Sequence, residues 1–105
     1  MANEQINPYR VPAGRQLDSL IHQEIFGNDG TSMIPNYSTE ESAADEVKDR
    51  LKVLYKYRII TGTTRIPGKR WFARQESGPS TSTEVVAEAY PLAICRLALV
   101  LSQKR

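Results

Sequence analysis

The sequence has few of the residues from which catalytic and metal centres are built. Its 105 residues include one cysteine, Cys95, and one histidine, His22. A single cysteine excludes an intramolecular disulfide and is typical of a reducing compartment, and one residue of each kind is too few for the common zinc sites. No G-x-S-x-G nucleophile motif is present. We therefore expect a protein that is not an enzyme and that uses no metal or cofactor.

Long apolar runs and a strong charge of one sign are also missing. The longest apolar stretch, Leu92–Leu101, is interrupted by Arg96 and is too short to span a bilayer. The first residues, MANEQINPYRVPAGRQ, lack the apolar core of a secretory signal. The 14 Lys and Arg residues barely outnumber the 12 Asp and Glu residues, which argues against nucleic-acid binding by the whole surface and leaves only a local patch. These features predict a soluble, intracellular protein without a membrane partner.

Three segments have the periodicity of helices. In the first, Leu17, Leu20, Ile21 and Ile25 form one apolar stripe. The second combines a similar stripe with acidic residues early and basic residues late, as the helix dipole favours. The third is apolar on all sides, which predicts a buried helix. The predicted helices lie near residues 15–26, 39–54 and 91–103.

Strand-like alternation fills the segment between the second and third helices. It occurs in YKYRII (55–60), RWFARQ (70–75) and TEVVAEAY (83–90). Pro67-Gly68 suits a tight turn, and the short connections favour antiparallel pairing. The order α-α-β-β-β-α predicts an α+β protein in which helices cover both faces of a three-stranded antiparallel sheet, an α/β/α sandwich. We expect one domain, 13–105, preceded by a flexible arm, 1–12, which has no periodicity.

Three segments together resemble a known family. LDSLIHQEIFG, YSTEESAADEV and PLAICRLALVL are similar, in order and spacing, to the phage ABA-sandwich domain family, whose pattern runs roughly L-D-x-L-I, Y-S-T-D and P-x-A-I-C-R-A-A-L. The chain departs from the family at Asp45, where a tryptophan is usual, and matches it over 55–88 only in strand pattern. The resemblance implies the sandwich fold, a phage origin and hence the cytoplasm of a bacterial host; it implies no biochemistry.

The segment Tyr37, Ser38 and Thr39 opens the second predicted helix and has two interpretations. Ser38 and Glu41 have the spacing of a capping box, with Tyr37 as a hydrophobic staple. Alternatively, free N–H groups at this helix start bind an anion, and Tyr37 stacks on a base or sugar.

Arg96 also has two interpretations, because a charge in an apolar helix needs a partner or a path to solvent. It either pairs with a carboxylate of the second helix or snorkels to an edge, or it faces a polar cleft beside Tyr37, Ser38 and Thr39. In such a cleft its planar guanidinium would clamp an anionic ligand.

The hairpin 65–74 combines basic and aromatic residues. Arg65, Lys69 and Arg70 stand next to Trp71, an arrangement that suits phosphate contact and base stacking. Period-two alternation nevertheless sends Trp71 to the face opposite Arg70, where it would join the core. The basic residues would then form an ordinary solvated hairpin.

Three functional hypotheses follow. The first is a non-catalytic phage accessory protein that sequesters a small anionic, nucleotide-type ligand or a host factor, plausibly to blunt antiviral defence. The second is a protein–protein adaptor or minor structural component of the phage. The third is a weak nucleic-acid binder acting through the hairpin 65–74. An unpaired sheet edge also predicts homo-oligomerisation.

Overall fold

The computed structural model describes residues 7–27, 33–55, 58–78 and 81–104. Three helices and a three-stranded antiparallel sheet follow one another in the order α-α-β-β-β-α, which confirms the predicted α+β class. The elements are α1 (Arg15–Glu24), α2 (Glu41–Tyr55), β1 (Arg58–Ile66), β2 (Lys69–Gly78), β3 (Thr81–Ala87) and α3 (Tyr90–Lys104).

The first strand lies further along the chain than its alternating pattern suggested. Tyr55 ends α2, and residues 56 and 57, part of the predicted strand, lie outside the described residues. β1 continues through Thr61–Ile66, beyond the predicted strand 55–60, because this threonine-rich segment pairs with β2 and β-branched residues favour strands. The turn itself contains only Pro67 and Gly68, and Gly68 has a φ of 74°, which glycine adopts readily.

The sheet has the strand order β1-β2-β3, and one of its faces forms the core. Ile59, Ala73, Val85 and Ala87 on this face are buried. On the opposite face, the apolar side chains Ile60, Phe72 and Val86 are only half-buried. Among the described residues, α3 packs on the sheet through β2 and β3, and the face opposite the core is the more exposed one.

α3 is the central element of the core. All its residues from Leu92 to Leu101 are buried, and it contacts β2, β3, α1 and α2. An apolar helix without a polar stripe is stable only when neighbours surround it, as they do here.

The chain before α1 contributes to the core as well. Val11 is buried, although it lies within the segment 1–12 that was predicted to be a flexible arm. Residues 1–6 of that segment lie outside the described residues, and the domain boundary at residue 13 stays a prediction.

Candidate functional site

Ser38 is part of a buried hydrogen-bond network between α1 and the segment that precedes α2. Its backbone N–H and its hydroxyl both donate to Oδ1 of Asp18, at 2.8 and 2.7 Å, and its Oγ accepts from the N–H of Gly14 at 2.9 Å. α2 begins at Glu41, so the predicted N-cap role of Ser38 is wrong. A carboxylate is a stronger acceptor than a neutral group, and Asp18 takes both hydrogens that Ser38 has to offer.

Tyr37 also contacts α1, one helical turn after Asp18. Its hydroxyl lies 2.9 Å from Nδ1 of His22, and its ring stacks on Phe26 at a centroid distance of 5.2 Å. Burial, followed by the nearby carboxylates, raises the pKa of Tyr37. The Tyr37 ring therefore packs inside the protein, and of the predicted anion-binding trio only Thr39 is exposed.

Arg96 joins three parts of the chain from the middle of α3. Its Nε donates to the carbonyl of Val11 at 2.9 Å and its Nη1 to the carbonyl of Val86 at 3.0 Å, with a carboxylate oxygen of Glu88 at 3.8 Å from Nη1. The residue is 3% exposed, and burial lowers its pKa against the opposing effect of Glu88.

These contacts differ from both partners that the sequence suggested for Arg96. It forms no hydrogen bond with Tyr37, Ser38 or Thr39, and its carboxylate neighbour, Glu88, lies between β3 and α3 rather than in α2. Backbone carbonyls satisfy the guanidinium, which explains how a buried arginine persists without a fully buried counter-ion.

Trp71 faces the core, as the alternation of β2 had indicated. It is half-buried against the core cluster, and it makes an edge-on contact with Tyr90 at a centroid distance of 5.4 Å and an interplanar angle of 67°. The Tyr90 hydroxyl donates a hydrogen bond to Asp45. Asp45 therefore has a structural role at the position where the phage ABA-sandwich family usually has a tryptophan. Trp71 is therefore part of the packing between the sheet and α3.

Phe72 and Arg74 cover the opposite face of the sheet together. A Cβ on Gly62 would lie only 2.7 Å from the Phe72 ring, so this ring packs closely over Gly62 of β1. The Arg74 guanidinium carbon is 5.3 Å from the centre of the same ring, and Arg74 forms salt bridges with Glu76 at 3.3 Å and Glu84 at 3.2 Å. Arg74 is therefore neutralised within the sheet.

The three cations Arg65, Lys69 and Arg70 differ from Arg74 in that they have no carboxylate partner among the described residues. Arg65 and Arg70 are exposed and Lys69 is half-buried, and within the described ranges none of the three forms a salt bridge. The strand register pairs Thr63 with Trp71 and then Ile66 with Lys69. Two residues, Thr64 and Arg65, thus face the single residue Arg70, as in a β-bulge. Arg65 and Arg70 therefore lie on paired strands at this bulge.

Two site residues, Val11 and Asp18, were not recognised from the sequence. Asp18 had a usable signal, because it lies four residues before His22 next to the apolar stripe of α1, and the two residues bind Ser38 and Tyr37 in turn. Val11 participates through its carbonyl, and a backbone acceptor has no sequence signature.

Cys95 is buried in α3. Burial raises the pKa of the Cys95 thiol, which disfavours the reactive thiolate. Among the described residues no group of three or more His, Cys, Asp or Glu side chains is placed to hold a metal ion, and no helix is long and apolar enough to cross a membrane.

Comparison with known proteins defines the fold and no further property. No protein-family model and no curated protein matches the chain, so membership of the phage ABA-sandwich family is not confirmed. The structure is similar to the 2.0 Å crystal structure of a phage protein from Bacillus cereus ATCC 14579, with a TM-score of 0.69 and 24% sequence identity over 100% of this chain and 94% of that one. Both chains thus share one α+β fold.

Proposed function

We propose that this chain is a non-catalytic phage accessory protein of the bacterial cytoplasm that binds an anionic partner through the end of its basic hairpin. The observation that carries the proposal is the group of three cations, Arg65, Lys69 and Arg70, which form no salt bridge among the described residues. The phage origin is supported by the fold that the chain shares with the Bacillus cereus phage protein.

The contrast with the other polar candidates supports the choice of the hairpin. Tyr37 and Ser38 are buried in contacts with α1, and Arg96 donates to two backbone carbonyls. A ligand at either place would have to displace internal hydrogen bonds that hold the fold together. A ligand at the hairpin end displaces none, because Arg65 and Arg70 point into solvent.

Binding to anionic probes tests this proposal. Fluorescence anisotropy with labelled polyglutamate and a labelled heparin oligosaccharide should show binding by the native protein that the variant Arg65→Ala/Lys69→Ala/Arg70→Ala has lost. A melting-temperature screen with cyclic and linear nucleotides tests the narrower hypothesis of nucleotide sequestration, because a ligand of the native state raises stability. Failure to bind any anionic probe, nucleic acids included, or equal binding by the variant, would overturn the proposal.

A protein–protein adaptor is the second candidate, and exposed apolar side chains favour it. Ile66 at the hairpin end is 51% exposed, Val53 in α2 64% and Met33 91%. A purified host or phage protein that binds the native chain and the triple hairpin variant equally, but not an Ile66→Asp variant, would favour the adaptor. The roles in counter-defence and homo-oligomerisation stay predictions.

A further inference from the structure

The hairpin end extends beyond the rest of the sheet. The pairing of β2 with β3 runs out at Trp71 and Ala87, whereas the pairing of β1 with β2 continues to Ile66 and Lys69. Residues 64–70 therefore form a two-stranded ribbon that has no third strand beside it within the described part of the chain. We call residues 64–70 the ribbon.

Two hydrogen bonds of Thr64 close the ribbon at its end. The Thr64 hydroxyl donates to the carbonyl of Lys69 and accepts from the N–H of Ile66 at 3.1 Å. The turn residues Pro67 and Gly68 are exposed, as is Ile66. A preorganised tip of this kind loses little conformational freedom when it binds.

The charges of the ribbon are arranged unfavourably for folding. The register places Thr64 and Arg65 opposite Arg70, and like charges on neighbouring strands destabilise a sheet. In the same sheet Arg74 has two carboxylate partners, which shows that the strands can supply counter-ions where packing needs them. A bound polyanion would relieve the repulsion between Arg65 and Arg70.

The aromatic residues decide which polyanion fits. Binding of single strands or free nucleotides depends on exposed rings on which bases stack. Trp71 packs on Tyr90, and Phe72 lies between Gly62 and Arg74. Among the described residues of the hairpin no ring is therefore free to stack on a base, and contacts with phosphates and groove edges remain.

We infer that the ribbon binds double-stranded DNA by entering its major groove, an inference that rests on the proposed function of the hairpin. The major groove of B-form DNA accepts a two-stranded ribbon and presents thymine methyl groups that an apolar side chain such as Ile66 can contact. Flanking arginines and a lysine reach the phosphates on either side. The deep, narrow major groove of A-form RNA excludes the same ribbon.

Fluorescence anisotropy with a labelled 20-base-pair DNA duplex, one of its single strands and an RNA duplex of the same sequence tests the inference. The DNA duplex should bind most tightly. If the three cations each contact a phosphate, the logarithm of affinity falls with the logarithm of salt with a slope of about −2.7. Affinity should therefore drop about 40-fold between 50 and 200 mM NaCl.

Matched variants distinguish DNA binding by the ribbon from attraction by the overall charge of the protein. Arg65→Ala and Arg70→Ala should each reduce the salt slope by about 0.9. Arg58→Ala is the control, because Arg58 is an exposed cation at the opposite end of the nine-residue strand β1, about 26 Å from Ile66, and its removal should leave the salt slope unchanged. Circular dichroism verifies that each variant is folded.

Tighter or equal binding of the single strand or the RNA duplex would overturn the inference, as would a duplex affinity that Arg65→Ala and Arg58→Ala change alike. Binding of polyglutamate or heparin by the native protein without binding of the DNA duplex would also overturn it, while the proposed function would stand.

Discussion

The segment Tyr37–Ser38 and the ribbon have similar appearances in the sequence and opposite environments in the structure. Both place polar groups suited to an anion beside an aromatic ring, which is Tyr37 in the first and Trp71, directly after the ribbon, in the second. Ser38 gives all its hydrogen-bonding capacity to Asp18 and Gly14, whereas Arg65 and Arg70 have no carboxylate partner among the described residues. Polar groups next to an apolar stripe are buried together with their hydrogen-bond partners. Polar groups at a projecting turn stay exposed to solvent, where a ligand can reach them.

The largest expected loss of stability follows from replacing Arg96. We expect Arg96→Ala to lower the free energy of unfolding by about 4 kcal/mol, because the carbonyls of Val11 and Val86 lose a charged donor at about 1–3 kcal/mol each. Arg96→Lys should recover part of the loss, since an ammonium group cannot reproduce the planar fork. Urea unfolding at neutral pH measures both.

Arg65→Ala is the matched control, because Arg65 is an exposed arginine of the ribbon. Its effect should stay within about 0.5 kcal/mol. If Arg65→Ala and Arg96→Ala destabilised the protein equally, the distinction between a structural and an available arginine would be wrong.

The next effect concerns Asp18 and Ser38. Asp18→Ala should cost about 3 kcal/mol, since two hydrogen bonds to a buried carboxylate are lost, and Ser38→Ala about 2 kcal/mol. In a double-mutant cycle the two changes should couple by about 1–2 kcal/mol. Ser19→Ala, at an exposed position of the same helix, should have little effect. Additive losses would show that the bonds between Asp18 and Ser38 do not stabilise the fold.

The smallest expected loss of stability concerns the packing of Phe72 on Gly62, on the sheet face opposite the core. Gly62→Ala places a Cβ 2.7 Å from the Phe72 ring, and moving the ring should cost about 2 kcal/mol. In a Phe72→Ala background the same substitution should cost almost nothing. Thermal unfolding of the four proteins of this cycle measures the difference; a cost that persists without the ring would place the origin of the effect in the strand itself.

Much of the fold could be predicted from local pattern. The apolar stripe of α1, the apolar run of α3 and the alternation of β2 identified these elements within a few residues of their bounds. β1 was harder, because Thr61–Thr64 reads as a turn until its pairing with β2 is known. The N-cap predicted at Ser38 failed because α2 begins only at Glu41 and the Ser38 hydroxyl oxygen, which would have to accept from a helix N–H, accepts instead from the N–H of Gly14, distant in sequence.

The sequence by itself determined the α+β fold class of the protein, because hydrophobic periodicity depends only on neighbouring residues. It also determined which polar residues deserved study: Ser38, Arg65, Arg70 and Arg96. Only the tertiary structure decided what each of them does. Hydrogen bonds and salt bridges depend on which distant groups the fold brings within about 3 Å, and no local pattern contains that information. The carbonyl of Val11 accepts from Arg96 across 85 residues of chain, and β3, which ends at Ala87, does not reach the ribbon.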